Sequence, residues 1–91
     1  MAMIIDQGPV FKRSYKKLYK NQIKAVNDAI RTIQANPAVG EQKKGDLTGV
    51  LVYKFQLLDQ DMLLSYEYDD SSILLTALGT HQNFYRDLKR K

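Results

Sequence analysis

Hydrophobic and polar positions along this chain change their period once. Phe11, Tyr15, Leu18 and Gln22 follow one another at helical spacing, with Lys12, Arg13, Lys16, Lys17 and Lys20 largely off that stripe. Ile23, Val26, Ile30 and Ile33 repeat the spacing, and "ANPAVG" ends it, because proline disfavours helical geometry in the asparagine before it. Two consecutive helices with a break near Tyr19 to Asn21 are expected; one continuous helix is the alternative. Ahead of them, the short apolar stretch Ala2 to Ile5 reads as an edge strand, and Gly8-Pro9 closes it, with proline accepted in the first turn of the helix that follows.

After Gly45 the period becomes two. "VLVYKFQL" places Leu51, Tyr53, Phe55 and Leu57 on one face and Val50, Val52, Lys54 and Gln56 on the other. Asp59 and Gln60 read as a turn, "MLLSYEY" sets Met62, Leu64, Tyr66 and Tyr68 against Leu63, Ser65 and Glu67, and "DDSS" (Asp69 to Ser72) is a second turn. "ILLTALG" supplies a third strand, and a final helix is expected to start near His81. The pattern predicts an α+β fold: a helical pair packed on one face of a small antiparallel sheet, in the order β-α-α-β-β-β-α, with the other sheet face free.

With 91 residues, the chain is expected to form one domain over residues 1–91. A domain of this size buries about two thirds of its unfolded surface, so it supports one thin core and no deep cofactor pocket. The net charge of +4 is modest, but its distribution is not. Nine basic and three acidic residues lie between Met1 and Gly45, one basic and six acidic between Asp46 and Tyr85, and four basic and one acidic from Arg86 onward. Positive charge therefore sits at the two ends, which favours an anionic partner.

The sequence has no cysteine, which excludes disulfides and thiolate metal sites. It shows neither a basic stretch leading into an apolar run, as a signal peptide would, nor an apolar run of the roughly 18–20 residues that a membrane span needs. A soluble cytoplasmic protein with no membrane partner is the expectation. The one histidine, His81, stands between the last apolar run and the basic tail. The residues alone leave it either a proton-transfer group or a surface residue at a helix start.

The order of elements, together with "NPAVG", "LTG" (Leu47 to Gly49), "YKF" (Tyr53 to Phe55), Tyr66 and the closing "GTHQNFY", resembles the RelE/ParE superfamily of bacterial toxins from toxin-antitoxin operons. The resemblance spans nearly the whole chain. It implies a RelE-like fold, a cognate antitoxin as protein partner, and one of two activities. RelE-like and YafQ-like branches cut messenger RNA, usually at the ribosomal decoding site, whereas the ParE-like branch poisons DNA gyrase. Gly79, Thr80 and His81, followed four residues later by Tyr85, are similar to the closing motif of the YafQ-like branch and its catalytic histidine. Asp61 is similar in position to that branch's acidic residue, and Lys54 lies on the strand where RelE-like enzymes carry a phosphate-facing lysine.

The chemistry so implied is metal-independent and needs no cofactor. His81, with an ordinary pKa near 6.5, would protonate the departing 5′-oxygen. Asp61 would act as base or orient the imidazole, Lys54 would stabilise charge on the phosphate, and Tyr85 would stack on a base or place the 2′-hydroxyl. Lys12, Arg13 and Lys16 on the basic helix, with Arg86 and Lys89 in the tail, are candidate RNA-phosphate contacts. Each residue has a plainer alternative: aspartates are common at turns, Lys54 fits the solvated face of a strand, and either Phe84 or Tyr85 can pack a final helix. Leu63 stands where RelE-like enzymes place an arginine, the YafQ-like branch's further histidines are missing, and the sheet segment is acidic. These departures keep a gyrase inhibitor and a degenerate binding module as alternatives.

Overall fold

The computed structural model describes residues 3–42, 49–57 and 60–80. Strand β1 (Ile4–Gln7) leads into helices α1 (Pro9–Lys16) and α2 (Lys20–Ala35). A single 3-10 turn at Pro37–Val39 connects to β2 (Glu41–Gln42), and β3 (Leu51–Leu57), β4 (Gln60–Tyr68) and β5 (Ser72–Thr80) follow. The expected final helix, with His81, Tyr85, Arg86 and Lys89, lies outside the described residues, as do Asp59 and the first two residues of "LTG".

Helix α1 opens with Pro9 in its first turn, as its fixed φ allows. The break falls at Lys17 to Tyr19, slightly earlier than expected. There the Lys17 and Leu18 amides close the end of α1 on the Ser14 and Tyr15 carbonyls. Tyr19 then starts α2: its N–H donates to Gln22 Oε1 at 2.9 Å, and its carbonyl accepts from the Gln22 and Ile23 amides. The two helices are tied by the Tyr15 hydroxyl, which donates to Asn27 Oδ1 at 2.8 Å.

The five strands form one sheet in the order β1-β5-β4-β3-β2. The β3-β4-β5 meander is antiparallel as the alternation predicts. The sheet as a whole is mixed, because β1 pairs parallel with β5. That pairing sets Ile5 beside Ile73, so Ile5 joins the core edge and the strand runs on through Asp6 and Gln7 instead of ending at Ile5. Polar Glu41 and Gln42 add a short antiparallel strand against Val52 and Leu51, which no hydrophobic pattern announces. Gln60, expected in a turn, is the first residue of β4 and pairs with Leu57. Gly49 enters β3 with φ +88°, the left-handed region that favours glycine. The "DDSS" turn forms as read: Asp69 Oδ1 accepts the Ser71 and Ser72 amides at 2.9 Å each, which holds its carboxyl below the usual range.

Phe11, Val26, Ile33, Leu57, Met62, Leu64, Tyr66, Ile73, Leu75 and Leu78 make the core between helices and sheet. The opposite face is not free. Val52, Leu63 and Ala77 are buried there with Val10 of α1 against them, and Ser65 is fully buried as well. The physical reason is the path of α1. The Gly8 amide donates to the Leu75 carbonyl at 2.8 Å, so the chain leaves β1 alongside β5 and α1 packs on that strand. From there Phe11 reaches the main core and Val10 reaches the other side. A register shift between Ser65 and Tyr66 leaves Thr76 without a partner across the ladder, and its hydroxyl lies 2.6 Å from that of Ser65.

Candidate functional site

Of the residues singled out for chemistry, Lys54 and Asp61 are brought together. Antiparallel pairing sets Lys54 opposite Leu63 and Gln56 opposite Asp61, so Lys54 and Asp61 are diagonal neighbours on the sheet face away from the main core. Lys54 Nζ lies 3.6 Å from Asp61 Oδ2, with the side chains 64% and 47% exposed. A pair this open contributes between zero and about 1 kcal/mol, so the ammonium can leave the carboxylate for a phosphate at little cost.

Leu63 lies beside this pair on the same face, only 3% exposed. It is committed to the small buried patch with Val52 and Ala77, so an apolar side chain there has a packing reason. Strand β5 ends at Thr80, which pairs with Met62, the residue after Asp61. His81 follows Thr80 directly in the sequence; His81 and Tyr85 themselves fall outside the described residues.

Lys12, Arg13 and Lys16 are exposed on α1, and Lys17, Lys20 and Lys24 join them across the helical break. Near the break a pocket of about 250 Å³ opens, with Lys17 and Gln22 on one side and Gly79 and Thr80 on the other. Leu18, Leu57, Met62 and Leu78 supply its apolar part. Sequence reasoning missed this pocket, because its walls come from elements distant in the chain.

Tyr66, part of the sequence resemblance, has a structural role. It is fully buried, its hydroxyl donates to the Pro37 carbonyl at 2.6 Å, and it accepts the Gly40 amide at 2.9 Å. Burial pushes its phenol pKa up, against the opposing pull of the Gly40 N–H, so the group stays protonated. Among the described residues no three His, Cys, Asp or Glu side chains gather as a metal site would require, and no helix is long and apolar enough to cross a membrane.

A family model described as ParE-like toxin of type II bacterial toxin-antitoxin system matches residues 5–89. The chain belongs to this family of toxins. Among solved structures, the toxin is similar to the YoeB dimer from Staphylococcus aureus at 26% identity and TM-score 0.69, covering 89% of this chain and 99% of that one. It shares its fold with the RelBE2 toxin-antitoxin complex of Mycobacterium tuberculosis, at 18% identity and TM-score 0.75, covering 89% and 100%. The intact RelBE toxin-antitoxin complex of E. coli gives 16% identity and TM-score 0.69, covering 87% and 96%. No curated protein matches the toxin. The RelE-like fold and the superfamily expected from the sequence are thus established, with the sheet mixed where an antiparallel one was expected.

Proposed function

We propose that this toxin cuts messenger RNA, engaged at the ribosome, and that a cognate antitoxin holds it inactive. The observation that carries the reading is the Lys54–Asp61 pair, solvent-open on one sheet face, with β5 ending beside the residue next to Asp61. In the proposed reaction Asp61 takes the proton of a ribose 2′-hydroxyl, and that oxygen attacks the adjacent phosphorus to close a 2′,3′-cyclic phosphate. The bond from phosphorus to the 5′-oxygen breaks, and His81 as imidazolium gives that oxygen its proton. Lys54 turns from Asp61 to the phosphate and stabilises the charge that builds there. Tyr85 stacks on a base, while Lys12, Arg13, Lys16, Arg86 and Lys89 contact RNA phosphates. The likeness to YoeB and RelE structures supports this reading, and the similar structures include complexes with an antitoxin.

Primer extension on messenger RNA after induction tests it. The unmodified toxin is expected to generate discrete new 5′ ends, and His81→Ala to abolish them while still binding antitoxin. A positioned acid contributes about 10²- to 10⁴-fold, so loss of His81 removes detectable cleavage. Lys54→Ala is expected to slow cleavage by about 10²- to 10³-fold. Intact transcripts in growth-arrested cells would overturn the proposal. The family model's ParE-like description favours a second reading, inhibition of DNA gyrase. That reading predicts a DNA-damage response on induction, with His81 dispensable.

A further inference from the structure

Tyr19 has no packing role to explain it. It is 75% exposed, and its ring stacks on no other ring among the described residues. It is the only large hydrophobic side chain standing open on the helical pair, since the other exposed ones, Ile4, Val39, Tyr68 and Leu74, belong to strands and the 3-10 turn. Its backbone is nonetheless fixed, N–H by Gln22 Oε1 and carbonyl by two α2 amides, so the ring projects from a rigid point.

From α1 into the first turns of α2, on either side of it in the chain, the charge is of one sign. Lys12, Arg13, Lys16, Lys17, Lys20 and Lys24 are all exposed, and no acidic residue occurs between Asp6 and Asp28. Among the described residues none of the six side chains has an ion-pair or hydrogen-bond partner, whereas Arg31, further along α2, is paired with Asp28 at 3.0 Å. Unpaired cations on the two helices and one open, rigidly based aromatic ring at the break between them are the two components of a single-strand nucleic-acid platform: phosphates meet the cations, and a base stacks on the ring. An acidic protein helix would meet the same charge but also needs an exposed apolar stripe to bury, and on the helical pair the one exposed large apolar side chain is this ring. The pocket lined by Lys17, Leu18 and Gln22, close to Tyr19 in the chain, reaches Gly79 and Thr80 at the end of β5.

We propose that Tyr19 is a base-stacking residue of an RNA-docking surface formed by the α1–α2 break, which holds an unpaired stretch of RNA while its phosphates lie on the exposed cations of the two helices. This deepens the nuclease reading by naming where the RNA backbone is held, but binding alone can be measured without any cleavage.

The test is fluorescence anisotropy of the full chain, as the His81→Ala variant, with a short single-stranded oligoribonucleotide and an abasic version of the same length. Tyr19→Ala is expected to weaken binding of the base-bearing strand by about five- to a hundredfold, the range for losing one stacked base, and to leave the abasic strand unaffected. Tyr19→Trp is expected to restore the affinity. An equal loss on both strands, or no loss on either, would overturn the proposal, as would polyglutamate binding as tightly as RNA at the same salt. Tyr19-dependent binding by a toxin that cuts no transcript would sink the nuclease reading and leave this one standing. Transcript cleavage by the unmodified toxin, together with binding that Tyr19→Ala leaves unchanged, would do the reverse.

Discussion

The Tyr66 hydroxyl serves two backbone groups from a segment far away in the chain, the Pro37 carbonyl and the Gly40 amide. Replacing it by phenylalanine keeps the ring in the core and strands both groups. Tyr66→Phe is therefore expected to lower unfolding free energy by about 1–3 kcal/mol in urea titrations. Gly40 is bound to the same contact, because a Cβ there would stand 2.6 Å from the Tyr66 oxygen. Gly40→Ala is expected to destabilise by a similar route, and the double variant by less than the sum of the two, since each breaks the same junction. The strand alternation places Tyr66 on the core side of β4, and so far the sequence was sufficient. Its partners were not legible, because nothing local to "SYEY" points to "NPAVG". The same holds at the candidate site: Lys54 and Asp61 were named from resemblance, and their ion pair follows only from the β3–β4 register.

At the scale of elements, both helices and the three-stranded meander could be read from period alone, because each buries one continuous stripe or face. What period could not supply was pairing between distant segments. Ile5 meets Ile73 through a parallel ladder, and polar Glu41 and Gln42 become a strand only because β3 offers an open edge. Burial on both faces of β4 was likewise hidden, since Leu63 and Ser65 look like the outward half of an alternating strand until α1 is seen to run along β5. The bulge at Ser65 and Thr76 supplies a prediction for this layer. Ser65→Ala leaves the Thr76 hydroxyl without its partner and is expected to cost about 1–2 kcal/mol. Ser65→Ala combined with Thr76→Val, which removes both polar groups, is expected to recover most of that loss in the same urea measurement.

At the scale of the molecule, charge among the described residues is separated by layer: exposed cations, six of them unpaired, crowd the helical pair, and the acids gather mainly on the sheet strands and their turns. Binding of a polyanion to such a protein releases counterions, with a slope of about −0.7 in log affinity against log salt for each phosphate neutralised on a single strand. Lys17→Gln and Lys20→Gln are each expected to make that slope shallower by about 0.7, whereas Lys54→Gln, on the sheet face, is expected to change it only if the RNA spans both layers. Anisotropy titrations at several salt concentrations read the difference directly. The separation was visible in the sequence as a count; that Lys12, Arg13, Lys16, Lys17, Lys20 and Lys24 find no ion-pair or hydrogen-bond partner among the described residues was not.

The parallel contact of Ile4–Gln7 with residues 72–75 also governs when this toxin comes into being. An emerging polypeptide can wind its two helices early, but its first strand has nowhere to dock until the β4–β5 hairpin has left the exit tunnel. Non-local closure of this sort makes folding wait on synthesis. The edge of the sheet at β1 is thus completed only after β5 has been made, and the order of synthesis sets the order in which this fold closes.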